Sequence, residues 1–447
     1  MQKKYHSKHK LKLSSFQIII LGFAGVVLLG ALLLMLPISS AHGAVTPFNE
    51  ALFTSTSAVC VTGLVVKDTG SYWSIFGQNI IIVLIQIGGL GVVTVAASFS
   101  LLAGKRISLM QRSTMQEAIA APKVGGIVKL TGFILRGTFI TELIGALALM
   151  PAFCRDYGLK GIRFALFHSI SAFCNAGFDI LGTENNKFVS LTEYSGDPII
   201  NTVIMLLIII GGLGFLTWED IGTHKFHIRK YRMQSKVILA VTAVLIAVPA
   251  VFFFFNDFSG FPLNERIFTS LFQSVTPRTA GFNTADLAEM SSASKAIMIF
   301  LMLVGGSPGS TAGGMKTTTL AVLAANVFSV FRKKEDAHIF GRRIDSGIIK
   351  NAATILVMYL TLFMTSGIVI SLCEKLPLSV CLYETASAIG TVGVTLGITP
   401  SLGVISQIIL VLLMFFGRVG GLTIIYATLS PKNPNQSKLP LEKITVG

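Results

Sequence analysis

Four times in this chain a phenylalanine or tyrosine opens a short amphipathic stretch that closes nine or ten residues later on a glycine, and four times a long apolar run follows. The pairs are Phe53 and Gly63, Phe167 and Gly177, Phe272 and Gly281, and Tyr383 and Gly393, the third being one residue shorter than the others. Their glycine ends read Cys60-Val61-Thr62-Gly63-Leu64, Cys174-Asn175-Ala176-Gly177-Phe178, Arg278-Thr279-Ala280-Gly281-Phe282 and Gly390-Thr391-Val392-Gly393-Val394. An internal repeat sets architecture before any local feature does. Four equivalent segments predict four structural units about one axis.

Composition says what surrounds that axis. Of 447 residues, 52% are hydrophobic and only 13% charged, where soluble domains average roughly 25% charged. With a mean hydropathy of +0.73 the chain reads as an integral membrane protein, and an axis through a membrane is a pore. The formal charge of +15 does not form a face or stripe that would track a nucleic acid; the basic residues fall between apolar runs, where membrane topology explains them. Five cysteines, Cys60, Cys154, Cys174, Cys373 and Cys381, lack metal-ligand spacing and are odd in number, so a structural role is expected for all of them.

A spanning helix needs about 20 apolar residues. Eight runs approach or pass that length, near 16–37, 76–102, 130–152, 198–217, 236–256, 295–328, 348–373 and 403–428. The first lacks a small-residue cleavage site and reads as an uncleaved helix. Between the members of each pair lies a shorter apolar stretch, near 47–59, 162–173, 265–275 and 378–389, which predicts a re-entrant helix returning as a loop. The expected fold is therefore all-α: a single transmembrane domain, 1–447, of four helix–pore helix–helix repeats around one central pore, with eight transmembrane helices and four re-entrant loops. Repeat boundaries fall near 14–104, 125–222, 235–331 and 346–430, with a basic N-terminus 1–13 and a short tail 431–447.

Lysines and arginines set orientation. They concentrate at the N-terminus (Lys3, Lys4, Lys8, Lys10, Lys12) and in the links between repeats, among them Lys105, Arg106, Arg112, Lys225, Arg229, Arg332, Lys333 and Lys334. The alternate loops carry acids such as Asp68, Asp179, Glu184, Asp197 and Asp286. Both termini are accordingly expected in the cytoplasm.

A site that strips water from a cation needs oxygen ligands facing the axis, and backbone carbonyls supply them without a fixed charge that would hold the ion too tightly. Glycine permits the backbone angles such a loop demands, and the preceding short helix aims its negative end at the axis. The expected ion filter is Val61, Thr62 and Gly63; Asn175, Ala176 and Gly177; Thr279, Ala280 and Gly281; and Thr391, Val392 and Gly393. Three of the short helices end alike, in Ser57-Ala58, Ser171-Ala172 and Ser387-Ala388; the third departs, with Val275-Thr276-Pro277. Arg278 is expected to pin the outer mouth, because a positive charge on the axis would repel cations.

A second glycine cluster lies in each following run: Gly88-Gly89-Leu90-Gly91, Gly211-Gly212-Leu213-Gly214, Gly305-Gly306-Ser307-Pro308-Gly309-Ser310, and Gly417-Arg418-Val419-Gly420-Gly421. Three read as close helix packing. The third is a poor helix through Gly305, Gly306, Ser307, Pro308, Gly309, Ser310, Thr311, Ala312, Gly313, Gly314 and Lys316, and is read as a movable loop under the filter that gates conduction; a static break is the other reading. Arg418, a charge inside an apolar run, reads as an electrostatic barrier, a partner of that loop, or a structural arginine. Glu142 and Glu384 also lie in apolar stretches without a partner visible in sequence. No phosphate-binding loop, metal-histidine pair or nucleophile elbow is present, so no enzyme activity is expected.

These residues resemble the Trk/Ktr/HKT potassium transporter superfamily over about residues 14–430: four helix–pore helix–helix repeats with glycines at 63, 177, 281 and 393, a broken helix at 305–316 and an arginine at 418. The length and short tail are most similar to the membrane subunit of a bacterial Ktr system. The resemblance implies potassium uptake across the bacterial plasma membrane, since a glycine at all four positions goes with potassium preference, whereas a serine in the first is associated with sodium permeation in some plant members. It further implies a homodimer with one pore per protomer and an octameric cytosolic ring of RCK-type, KtrA-like subunits. ATP or ADP would bind that ring and not this chain. Potassium is the substrate ion, sodium an activator or symported ion, and there is no covalent cofactor. A secondary cation transporter with alternating access and a less selective sodium/potassium pathway are the competing readings.

Overall fold

The computed structural model describes residues 14–102, 107–119, 121, 123–428, 440 and 442. Lys3, Lys4, Lys8, Lys10, Lys12, Lys105, Arg106 and the tail apart from Pro440 and Glu442 lie outside the described residues.

One pattern of elements recurs four times. The first set is α1 (Ser15–Leu34), the short α2 (Phe48–Val59), a single turn α3 (Thr69–Tyr72), α4 (Ile75–Leu90) and α5 (Val92–Leu102). A linking helix, α6 (Leu109–Ile119), leads to α7 (Ile127–Tyr157), α8 (Lys160–Phe173), α9 (Pro198–Gly212) and α10 (Phe215–His224). The third set is α11 (Met233–Asn256), α12 (Leu263–Val275), α13 (Ser292–Leu303) and α14 (Thr317–Phe331). A two-stranded hairpin, β1 (His338–Ile339) with β2 (Arg342–Arg343), precedes α15 (Ser346–Glu374), α16 (Leu378–Gly390), α17 (Val404–Val419) and α18 (Gly421–Thr428). That hairpin is the one departure from the expected all-helical chain among the described residues.

Local chemistry sets the helix starts. Ser14 and Gln17 form a reciprocal capping box on α1, and Ser74, Asp197, Ser291 and Asp345 accept from the first backbone N–H groups of α4, α9, α13 and α15. Three of the short helices, α2, α12 and α16, start directly after a proline, Pro47, Pro262 and Pro377. Its fixed φ turns the chain sharply into the helix. The four aromatic residues that open the repeats, Phe53, Phe167, Phe272 and Tyr383, are all buried.

Helices α1, α7, α11 and α15 are long and apolar enough to cross a membrane. Their outer faces expose leucine, isoleucine, valine and phenylalanine, for example Leu29 and Leu32 on α1, Phe139 and Ile144 on α7, and Val244 and Val248 on α11. An apolar exterior around a core that holds buried polar groups is the distribution a bilayer selects.

The second long run of each repeat is not one helix. Gly91 and Gly214, both in the left-handed region (φ 86° and 89°), bend α4 from α5 by 96° and α9 from α10 by 99°. Gly420 (φ 89°) separates α17 from α18, and residues 304–316 separate α13 from α14. This corrects the reading of three glycine clusters as packing alone: the last glycine of each breaks the helix, and only the earlier ones pack. A methyl group on Gly88, Gly211 or Gly417 would collide with the Val59, Phe173 or Ile389 carbonyl oxygen, at the end of the short helix of the same repeat.

Because lipid tails are as apolar as the side chains, such close backbone approaches and not hydrophobic burial hold these helices together. Gly88→Ala is therefore expected to cost about 1–3 kcal/mol by overpacking. Gly25→Ala, where an added methyl meets nothing within 4 Å, is expected to cost nothing. Thermal unfolding of the two variants in detergent checks the contrast.

Candidate functional site

Each short helix is tied to its glycine loop by one backbone bond and one hydroxyl bond. The backbone N–H groups of Thr62, Ala176 and Val392 donate back to the carbonyls of Ser57, Ser171 and Ser387, each at 2.8 Å. In the third repeat Ala280 N–H donates to Thr276 at 3.0 Å, one residue nearer in sequence. The missing residue is thus absorbed between the helix end and the loop. Ser57 and Ser387 hydroxyls accept from Gly63 and Gly393 N–H at 3.0 Å, and Ser171 Oγ donates to the Phe178 carbonyl at 2.7 Å. Thr276 Oγ1 donates to the Phe282 carbonyl in the same way. The third helix end, which departs in sequence, does not depart in role: Thr276 takes the serine's place.

The loops share an alternating backbone. Val61 and Gly63 have φ of 54° and 93°, Asn175 and Gly177 58° and 68°, Thr279 and Gly281 68° and 83°, and Thr391 and Gly393 51° and 98°. Left-handed residues are rare outside glycine; here they alternate with ordinary ones in all four repeats, the arrangement that turns successive carbonyls to one side.

The four glycines meet. A methyl on Gly63 would lie 2.5 Å from the Ala176 carbonyl oxygen, one on Gly177 2.6 Å from that of Ala280, and one on Gly281 2.6 Å from that of Val392. One on Gly393 would strike the Thr62 carbonyl, which closes the ring. Any side chain would fill this space. The Thr62, Thr279 and Thr391 hydroxyls are buried with no hydrogen-bond partner among the described residues.

A cavity of about 120 Å³ opens above the ring, lined by the four glycines together with Asp68, Asp179 and Thr395. Asp68 is fully engaged, accepting from Phe188 N–H, Ser71 N–H and Ser71 Oγ at 2.7–2.8 Å. Asp179 accepts from Leu181 N–H at 3.2 Å, and burial together with the neighbouring Asp68 pushes its carboxyl up to about 7. Neither acid stood out in the sequence as a site residue; the signal was that Asp179 lies two residues beyond Gly177.

Below the ring lies the loop 305–316. Ser307 and Thr311 N–H donate to Gly212 and Gly211 at 3.0 and 3.3 Å, Phe215 N–H to Gly309 at 2.7 Å, and Gly314 N–H to Gly417 at 3.1 Å. Thr311 Oγ1 donates to the Asn175 side chain at 2.9 Å, and Gly313 lies directly against the Thr391 hydroxyl. Pro308, Gly309, Ser310 and Ala312 border a second cavity of about 310 Å³ on the far side of the ring, with Lys316 and Arg418 on its wall.

Both cations are held by carbonyls. Lys316 Nζ donates to Ala312 and Gly313 at 2.9 and 3.1 Å. The Arg418 guanidinium donates to the Thr311 carbonyl and to the Gly88 and Gly89 carbonyls, so one side chain joins the loop to α4 and α17. The structure thus brings together the four expected loops, the loop 305–316 and Arg418. It corrects the expectation for Arg278, which is buried against α11, Nη2 donating to Thr242 Oγ1 at 3.2 Å, and not at the outer mouth. Glu384 accepts from Thr395 Oγ1 at 2.8 Å and from Thr399 Oγ1, tying α16 to the chain leaving the fourth loop; Glu142 accepts from Gln86 at 3.3 Å behind the second.

Hydrogen bonds to a charged group are worth about 1.5–3 kcal/mol each. Arg418→Gln is expected to raise amide hydrogen exchange across 305–316 by at least about tenfold, with exchange in α7 unchanged; equal protection in the variant would mean that Arg418 does not hold the loop.

A sequence model of the family described as "TrkH: Cation transport protein" matches residues 3–437. The potassium/sodium uptake protein NtpJ of Enterococcus hirae is 40% identical over 98% of both chains. The Ktr system potassium uptake protein B of Bacillus subtilis is 37% identical over 94% of both. The crystal structure of the potassium transporter TrkH from Vibrio parahaemolyticus shares the fold, with a TM-score of 0.73 at 18% identity over 94% of this chain and 86% of that one. With a family match along nearly its whole length, relatives near 40% identity and the same fold, the chain belongs to the TrkH family of cation transport proteins.

Proposed function

We propose that this chain carries potassium into the cell through the ring of four glycine loops. The observation that carries the proposal is the closed ring itself: four loops of one backbone pattern, each glycine against its neighbour's carbonyl oxygen, with cavities above and below. Oxygen dipoles without a fixed charge at the narrowest point suit a monovalent cation that must bind and leave again. The names of the Enterococcus and Bacillus relatives, potassium/sodium uptake and potassium uptake, support this ion class.

In this reading the loops 61–63, 175–177, 279–281 and 391–393 select the ion, the loop 305–316 closes the inner side, and Arg418 with Lys316 places positive charge where a cation must pass while the loop is shut. The basic links lie in the cytoplasm of a bacterial plasma membrane, as the positive-inside rule requires. The word "system" in the names of the Ktr relatives supports a multi-component assembly. We assign this chain the membrane role in a homodimer docked on a cytosolic nucleotide-binding ring, with uptake stimulated by sodium.

The test is rubidium uptake into proteoliposomes holding the purified protein. Potassium is expected to compete strongly and sodium weakly, and Gly281→Asp to abolish uptake in protein that still elutes as an intact assembly. Equal competition by sodium would make this an unselective pathway, and uptake that survives the substitution would misplace the ring. At sub-saturating rubidium, uptake is expected to fall as outside pH drops through about 7, because protonation of Asp179 removes negative charge from the mouth. Asp179→Asn is expected to flatten that dependence at the low-pH rate.

A further inference from the structure

Away from the ring, the loop and both axial cavities, α11 and α14 leave a cavity of about 490 Å³ between them. Its trough is apolar, formed by Ala240 and Val241 on α11 and by Ala321, Ala324 and Phe328 on α14. Its rim is basic: Arg332, Lys334 and His338 line the end where α14 gives way to the hairpin. Among the described residues Arg332 and Lys334 form no ion pair; of the two adjacent acids, Asp336 is engaged with Arg343 at 3.2 Å and the exposed Glu335 does not line the cavity.

The position of the cavity identifies its depth. Phe328, Val330 and Phe331 are exposed on the last turn of α14 and are followed directly by Arg332, Lys333 and Lys334. Exposed apolar residues giving way to a run of bases mark the boundary between hydrocarbon and headgroups. The cavity straddles that boundary, with the trough on its hydrocarbon side and the cations on its headgroup side. A free anion would satisfy the rim and leave the trough empty of apolar surface, and a zwitterionic lipid would fill the trough while presenting the rim with a compensating cation. A basic pocket between membrane helices at this depth is suited to an anionic headgroup.

We propose that this cavity is a binding site for an anionic glycerophospholipid, its phosphate held by Arg332, Lys334 and His338 and an acyl chain lying in the trough between α11 and α14. The site has a mechanical consequence. Helix α14 begins at Thr317, whose N–H donates to Gly306 at 3.1 Å, so a lipid that fixes α14 also bears on the loop 305–316. The binding site stands on cavity shape and charge, and its test needs no ion flux, so it succeeds or fails separately from the proposed transport role.

The experiment is thermal unfolding of the purified full chain in neutral detergent with dioctanoyl phosphatidylglycerol, dioctanoyl phosphatidylcholine or inorganic phosphate. Ligand bound only by the folded state raises the midpoint. Phosphatidylglycerol is expected to raise it by about 3 °C or more and the other two by less than about 1 °C. The rise is expected to vanish in Arg332→Gln/Lys334→Gln, to vanish in Ala324→Leu with the charges intact, and to persist in Arg229→Gln/Lys230→Gln, which removes the same charge from another link. An equal rise with phosphatidylcholine or with phosphate alone overturns the proposal, as does a rise retained in the Arg332/Lys334 variant or lost equally in the Arg229/Lys230 control.

Discussion

Everything in this molecule is arranged around the approach of four glycine Cα atoms to four carbonyl oxygens. Gly63, Gly177, Gly281 and Gly393 each sit against the oxygen of the preceding residue in the next loop, and no side chain fits between them. That ring requires four short helices ending at one depth, which in turn requires four pairs of longer helices to surround them. The loops cost conformational energy, since Val61, Asn175, Thr279 and Thr391 are held left-handed. The bonds from Ser57, Ser171, Thr276 and Ser387 offset that cost by fixing each loop to its own helix end.

The second constraint lies under the ring. Four inner helices converge there, and all four are interrupted, three by a single left-handed glycine and one by a thirteen-residue segment from 304 to 316. Backbone groups are satisfied mutually: the segment bonds to Gly211, Gly212 and Phe215 around the break of α9 and to Gly417 within α17, and Arg418 reaches the carbonyls of Gly88 and Gly89. Irregular backbone at membrane depth is stable only when satisfied in this way. The segment is held by backbone bonds, the Thr311 hydroxyl, the Lys316 ammonium and the Arg418 guanidinium, and it borders a cavity.

The repeat, the four short helices and the glycine loops were legible in the sequence because they depend on residue types that are rarely found together by chance: a buried aromatic, a serine and a glycine at fixed spacing inside apolar runs. The bending of α4, α9 and α17 was not, because Gly91, Gly214 and Gly420 look the same in sequence whether they pack a helix or break it; only the left-handed φ separates the cases. Thr276 was read as a departure because alignment by position hid a one-residue deletion on its far side. Arg278 was misplaced for a related reason: charge argued for water, while the fold gave it Thr242. The partners of Glu384 and Arg418 lie, respectively, eleven to fifteen and more than one hundred residues away and leave no local trace.

The claim on which the account rests is that cations occupy the axis of the glycine ring. Crystals grown in rubidium and measured at the rubidium absorption edge test it directly. The account predicts anomalous density on the axis, coordinated by carbonyl oxygens of residues 62, 176, 280 and 392, in crystals where potassium has been replaced. Rubidium found only in the cavities at either side, or bound to Asp179 and absent from the ring, would contradict it.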